Sequence, residues 1–526
     1  MDYEKKMPQP AQNYGEQGAA APPPAYYQPA QQAGYPPQQG GYPQAYPAQT
    51  YGAPQPQPQR TQTTVIVQNG NGWFSTNQRN KPQSNAVGAA SLIFISGGMN
   101  IAWSVGYRGA FYTNIALHTR VAWFIGAIIG ALLSCGLPNK IPRKIIMCFS
   151  SLLVIIGGIL FVSTRFNFEA IEAALYMDGI GNGLCFAPAL ALIGEVAVPY
   201  MRGSIAAPLE QQGVILGFFI QIIYVISWGT ELYDPNEFNA NQLHGVLSIV
   251  YGIIALVLGA LLSIESPVML LDNGEEQRAL DAQRRLQRPY IVTNETHQLL
   301  EESKRYVAMN RDMSLGESIA QALPAFFKLC YLRALNAMSL CSYMTVVLAL
   351  SLLFQSLSGT LLWQFFLFAA CRWIGTFITS FCTESVGRKK LTLMGLFFCC
   401  PFAIAVGALL YGNLTHDYLN TIFILLCIFQ VFAGVAFTPS SCYLTEAYPL
   451  KVKTPFIACT FIVEAAVYII ISSCTVSVNS AALFFIIMGA LCLAGCVVGF
   501  VCLPETKRTT LRQALDKFKG IVSPGF

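Results

Sequence analysis

Arg372 and Glu464 each interrupt an apolar run long enough to cross a bilayer. An ionised side chain in the middle of a membrane helix costs roughly 2.5–3.5 kcal/mol even on lenient insertion scales, so it marks a solute pathway or a buried partner. Arg372 lies 12 residues before Glu384, and Glu464 lies 11 residues after Lys453. At about 1.5 Å per residue these are depths of roughly 18 Å and 16 Å, so the two side chains are placed to meet near the midplane. Two chemistries fit. A permanent pair would neutralise both charges and brace the helices that carry them. Alternatively, Arg372 grips a carboxylate or phosphate on a solute, or Glu464 exchanges a proton. A second polar cluster, Glu210, Gln211 and Gln212, begins 8 residues after Arg202, or roughly 12 Å into the membrane. Its amides suit a hydroxylated solute, and Glu210 suits helix packing or proton coupling.

The elements that must hold these residues follow from composition. The chain has 526 residues, 54% of them hydrophobic and only 11% charged, too few polar side chains to coat a water-soluble globule of this size. Runs of the length that a hydrocarbon core of about 30 Å requires recur twelve times. They fall at 86–106, 121–137, 145–162, 173–193, 205–226 and 246–264, then at 334–354, 361–382, 391–411, 421–443, 456–476 and 481–503. The expected fold is an all-α membrane protein with twelve transmembrane helices in two pseudo-symmetric six-helix bundles. Its expected parts are a disordered Pro/Gln/Tyr-rich cytoplasmic tail (1–83), an N-terminal bundle (84–265), a cytoplasmic helical linker (266–327), a C-terminal bundle (328–506) and a short cytoplasmic tail (507–526).

Lys and Arg are retained on the cytoplasmic side of a membrane. Here they crowd the first tail, the turns after spans 2, 8 and 10, the linker and the C-terminus, which predicts cytoplasmic termini and, by default, the plasma membrane. The 16 cysteines lie in or beside apolar runs and the four histidines are scattered, so neither a disulfide framework nor a metal site is expected. No cofactor motif, nucleophile–base pair or nucleic-acid patch stands out, which argues against an enzyme. In the tail, Pro23-Pro24-Ala25-Tyr26 is a PPxY arrangement, whose polyproline II turn and tyrosine fit a WW-domain groove.

The two halves repeat one another. Asn139-Lys140-Ile141-Pro142-Arg143-Lys144 after span 2 corresponds to Glu384-Ser385-Val386-Gly387-Arg388-Lys389 after span 8. Glu195 with Arg202 corresponds to Glu446 with Lys453, and Glu265 to Glu505, all at nearly one spacing. Duplication of this kind is the mark of transporters built from parallel repeats. Carboxylates and cations at the ends of facing helices form a clasp that must break when the halves part.

Gly387-Arg388-Lys389-Lys390-Leu391, Gly194-Glu195 through Met201-Arg202-Gly203, Glu265-Ser266-Pro267, Glu446-Ala447-Tyr448-Pro449 and Pro504-Glu505-Thr506-Lys507 together resemble the sugar-porter branch of the major facilitator superfamily, which includes the facilitative glucose transporters. The resemblance covers roughly 86–511. It implies alternating access about a central site, with the clasp of Arg143, Lys144, Glu195, Arg202, Glu265, Glu384, Arg388, Lys389, Glu446, Lys453 and Glu505 favouring the outward-open form. It implies solute contacts at Gln211 (if one residue is inserted in span 5, or Glu210 if none is), Gln212, Asn336, Ser339, Arg372, Ser441 and Glu464.

The chain departs from the branch at that site. The family's span 7 Gln-Gln-Leu-Ser-Gly-Ile-Asn pattern is replaced by Asn336-Ala337-Met338-Ser339-Leu340-Cys341-Ser342, and its span 10 tryptophan by Ser441. Arg372 and Glu464 stand where the family has asparagines, and its span 4 arginine is missing, with Leu175 or Met177 nearby. The expectation is a secondary transporter of a small polar solute, a sugar or related compound. A proton-coupled carrier of a charged organic solute and a non-transporting receptor or adaptor of the same fold are the rivals.

Overall fold

The computed structural model describes residues 73–108, 115–137, 141–163, 167–228, 238–352, 362–412 and 415–522, all within one compact unit, Thr64–Phe526. The PPxY motif lies outside the described residues. Among the described residues, twelve helices are long and apolar enough to cross a membrane. Spans 1 to 6 are Ser75–Val105, Leu117–Gly136, Arg143–Ser163, Phe168–Val196, Arg202–Ser227 and Ala240–Leu262. Spans 7 to 12 are Leu315–Ser351, Trp363–Cys382, Arg388–Leu410, His416–Glu446, Leu450–Ser473 and Val478–Cys502. Three linker helices, Pro267–Asp272, Glu276–Arg285 and Asn294–Asp312, join the halves, and Leu511–Phe518 follows the last span.

The packing repeats as the motifs do. In the first half span 1 packs on span 5, span 2 on span 4, and span 3 on spans 4 and 6. In the second half span 7 packs on span 11, span 8 on span 10, and span 9 on spans 10 and 12. The seam between the halves is itself paired, with span 2 against span 11 and span 5 against span 8. This is the pseudo-two-fold arrangement, with exposed Leu133, Ile159, Leu261, Phe381, Phe397 and Val497 on the outside, where lipid tails replace water as the neighbour.

Close approach of spans 2 and 4 depends on missing side chains. A Cβ on Gly130 would lie 2.2 Å from the Ile180 carbonyl, and one on Gly183 would lie 2.0 Å from the Ala127 carbonyl. The backbones therefore touch, as small-residue stripes permit.

Span 7 differs most from its apolar run. It begins at Leu315, about twenty residues before 334, because Ser314 and Glu317 form a capping box in which each side chain bonds the other's backbone N–H. Such a pair satisfies two orphan donors and starts a helix whatever the hydrophobicity of its first turns. The consequence is that Arg333 sits 18 residues into a helix, well inside the bilayer, and not at the membrane edge.

Candidate functional site

Three spans lose α-helical regularity part-way along their length. Span 5 contains a π-helical turn, Pro208–Gln212. Span 7 breaks at 339–341, between helices ending at Met338 and beginning at Ser342. Span 10 restarts at Pro439, which has no N–H to continue the ladder. A π turn accommodates an additional residue, and such bulges cluster at functional positions. It lies in the part of span 5 where one inserted residue would align Gln211, and none would align Glu210, with the sugar-porter pattern. Irregular backbone at membrane depth persists only where protein or a cavity satisfies its polar groups, and Gln430 Nε2 donates to the freed Ser339 carbonyl at 2.8 Å.

These irregular segments gather a chain of charges. Arg333 of span 7 forks onto Glu210 of span 5, with Nη1 to Oε2 at 3.0 Å and Nη2 to Oε1 at 2.8 Å. Its Nε donates to Glu464 Oε2 of span 11 at 2.7 Å. Ser441 and Gln211 also donate to Glu210. Asn336 then bridges outward: its Nδ2 donates to Glu464 Oε1 at 2.9 Å, while its Oδ1 accepts from Arg372 Nη2 at 2.7 Å. Arg372 Nη1 donates to Ser339 Oγ at 3.0 Å. The order is Glu210, Arg333, Glu464, Asn336, Arg372, with two cations, two carboxylates and no net formal charge. Arg333 and Glu210 are each 1% exposed and Arg372 is 2% exposed.

The expected contact of Arg372 with Glu464 is therefore corrected. Arg333 takes the carboxylate of Glu464, and Asn336 stands between Glu464 and Arg372. The reason is reach: Arg333 lies one helical turn from Asn336 on span 7, so its guanidinium faces Glu210 and Glu464 together. A buried carboxylate takes the bidentate cation that satisfies most of its lone pairs.

Glu210, Arg333, Asn336 and Glu464 line a central cavity of about 20 Å³, room for about one water. Its walls combine amides (Asn182, Gln211, Asn336) with aromatic faces (Trp123, Phe186, Phe461, Tyr468). Rings from opposite halves stack across it, Phe124 on Tyr468 at 4.6 Å and Phe186 on Phe461 at 4.2 Å. Gln211 Oε1 is buried without a hydrogen-bond partner, an acceptor position that a hydroxyl could fill. Gln212 is only partly buried beside it. Asp178, in span 4, is buried at 2% exposure. It accepts from Trp123 Nε1 and Asn182 Nδ2, both at 2.8 Å, and so orients two of the cavity's walls.

At the face that carries the linker, the clasp residues converge. Arg143 forks onto Glu195 at 2.6 and 3.0 Å, and Lys453 of the other half lies 3.7 Å from the same carboxylate. Arg202 reaches across to Glu446 at 3.1 Å, and Glu446 also accepts from Arg388 at 2.8 Å. Glu384 accepts from Arg388 and, across the seam, from the Gly203 N–H at 2.6 Å. Glu505 accepts from the Arg388 and Lys389 backbone. Glu265 stands beside Arg143 and Lys144, and burial raises its carboxyl above the ordinary 4.5 while Arg143 opposes the shift. At the opposite face Tyr107 meets Phe365 edge-on at 6.3 Å, so the halves touch at both ends.

The sugar (and other) transporter family matches residues 69–518. The chain belongs to that family. This family member is similar to facilitated glucose transporter member 3 of Oryctolagus cuniculus, 29% identical over 37% of this chain and 38% of the relative. It is similar to the arabinose-proton symporter of Bacillus subtilis (strain 168), 24% identical over 57% of this chain and 64% of the relative. The chain thus spans less than two thirds of these two relatives, and more of facilitated glucose transporter member 7 of Mus musculus, 23% identical over 76% of this chain and 79% of that one. Among solved structures, the proton:xylose symporter XylE bound to 6-bromo-6-deoxy-D-glucose superimposes with a TM-score of 0.64 at 18% identity, over 82% of this chain and 99% of that one. The fold is that of the major facilitator superfamily, and the protein is a multi-pass membrane protein of its sugar-porter branch.

Proposed function

We propose that this protein is a secondary transporter that moves a small polar solute, a sugar or related compound, by alternating access. One observation carries the reading: the polar chain at the centre and the clasp at the linker face both cross the seam between the halves. Each is a set of contacts that one packing makes and another must break, which is what a rocking bundle needs. Asn182, Gln211 and Asn336 beside aromatic faces fit hydroxyls and an apolar ring face. Glu210 and Glu464 serve as exchangeable partners of Arg333. A solute that loosens one of them converts binding into parting of the halves.

The charges favour a second reading. A solute with its own carboxylate would compete for Arg333 or Arg372, and a proton on Glu210 or Glu464 would release the cation. The Lys/Arg-rich linker face is read as cytoplasmic, with both termini on that side, the plasma membrane as host and Pro23, Pro24 and Tyr26 as a WW-domain ligand. Purified protein in liposomes, offered hexoses, polyols, amino acids and carboxylates with and without a pH gradient, tests transport. Saturable uptake of a hexose or polyol supports the first reading. Uptake of a carboxylate alone supports the second, and uptake of nothing above empty vesicles refutes both in favour of a receptor or adaptor.

A further inference from the structure

The two cations of the central site differ in what they hold. Arg333 bonds both Glu210 and Glu464. Among the described residues no carboxylate lies within ion-pair distance of Arg372. Its Nη2 donates to Asn336 Oδ1 at 2.7 Å, its Nη1 donates to Ser339 Oγ at 3.0 Å, and the Phe437 ring lies 5.7 Å away. Its Nε is buried without a hydrogen-bond partner. A guanidinium inside a membrane takes an anion in its fork where one is within reach, and here a neutral amide and a hydroxyl fill that place. Asn336 also lines the central cavity, so a solute that displaces its side-chain oxygen reaches Arg372. The other walls suit a hydroxylated body: Gln211 Oε1 is an open acceptor, Asn182 adds an amide, and Phe186 stacked on Phe461 offers an apolar face.

Formal charge sets a second condition. Glu210, Arg333, Glu464 and Arg372 sum to zero, and a solute carboxylate adds one negative charge. A net charge in a space without water is costly, and one proton removes it. The charged groups facing Glu464 are Arg333 of span 7, Glu210 of span 5 through that same guanidinium, and Arg372 of span 8 through Asn336. Spans 2 and 4 present the rings of Phe124 and Phe186 to span 11, which carries Tyr468 one turn beyond Glu464. Asp178 of span 4 is engaged by Trp123 and Asn182. Glu210 is held by Arg333, Ser441 and Gln211, whereas Glu464 is held by Arg333 and Asn336. Each donor favours the charged form, so Glu464 is the carboxylate that takes the proton. Resting on the reading of this protein as a transporter of a sugar or related compound, we propose that its solute is a sugar acid, a polyhydroxylated monocarboxylate, bound through its carboxylate to Arg372 and carried with one proton on Glu464. The proton comes from water on the side where the solute binds. It returns to water on the other side as Arg333 regains the Glu464 carboxylate and Asn336 returns to Arg372. Solute and proton cross together, and no net charge moves.

Binding is tested apart from transport. The probes are D-glucuronate and D-gluconate, beside the neutral D-glucose and D-glucitol. Full-length protein in detergent should melt higher with a sugar acid than with the neutral compounds. The half-saturating concentration should be at least tenfold lower at pH 6 than at pH 8, a range over which the probe carboxylates stay ionised. Glu464→Gln, which fixes the charge of the protonated form, should bind equally well at both pH values. Arg372→Gln should weaken sugar-acid binding at least tenfold, and Arg372→Lys should restore part of it. In liposomes, uptake of a sugar acid should follow an inward proton gradient and ignore a potassium diffusion potential of either sign. Binding or uptake of the neutral compounds alone overturns the proposal and leaves the transporter reading standing. Binding that is the same at pH 6 and pH 8 overturns the coupled proton, and so does uptake that follows the membrane potential. Sugar-acid binding as described, with no uptake of any compound, refutes the transporter reading and leaves the Arg372 site standing.

Discussion

Arg333 is the residue on which the central site turns, and its removal should reveal how. Its guanidinium holds Glu210 by two bonds and Glu464 by one, all within 3.0 Å and nearly free of solvent. Arg333→Ala leaves two carboxylates buried without their cation, and breaking a buried pair costs about 3–5 kcal/mol. Each half has the size of an ordinary domain, for which 1 kcal/mol moves the melting temperature by about 2–4 °C. The expected fall is therefore roughly 6–20 °C, read by tryptophan fluorescence on heating purified protein in detergent. The control is the triple variant Glu210→Gln, Arg333→Met, Glu464→Gln, which removes the charges together. Replacing a buried ionic cluster with neutral groups of similar volume is often neutral or stabilising by about 1–4 kcal/mol, so the triple variant should melt close to the parent. A melting point for Arg333→Ala within about 1 °C of the parent refutes the assigned bonding. A triple variant that melts as low as Arg333→Ala shows that packing, for example against the Phe186 ring at 5.4 Å, and not charge, sets the cost.

Three further outcomes are expected. Gly130→Ala pushes a methyl to 2.2 Å from the Ile180 carbonyl and should cost about 1–3 kcal/mol as overpacking; an unchanged melting point would mean that spans 2 and 4 lie further apart. Arg202→Ala removes a bond across the seam and should raise several-fold the alkylation rate of Cys442, which is buried with its Sγ 3.7 Å from the Gly203 carbonyl of the other half, while an unchanged rate would exclude Arg202 from the clasp. Glu265 has its carboxyl raised by burial: the stability it contributes is full below 4.5 and is lost as pH rises through the higher folded value. Glu265→Gln should then melt at or above the parent at pH 7.5 and match it near pH 4, and a variant less stable at pH 7.5 would reverse the sign.

Composition and period alone establish the twelve spans, the linker and the duplication, because a bilayer admits few solutions for an apolar chain and each demands a long local run. The clasp was legible for the same reason: its charges stand beside span ends, where short motifs repeat. Glu210, Asn336, Ser339, Ser441 and Glu464 were legible as polar interruptions of those runs. Arg333 was not, since hydropathy placed it just before span 7. Its local signal was the Ser314–Glu317 capping box, which starts the helix early and carries the arginine to the centre. Partner choice lay beyond any local signal. Arg372 and Glu464 share a depth, but depth is one coordinate of three, and which guanidinium faces Glu464 depends on helix rotation, on the π turn of span 5 and on the break in span 7. Those are settled when the halves pack, because only then do five polar groups from spans 5, 7, 8 and 11 compete for one another inside a space that has no water to spare.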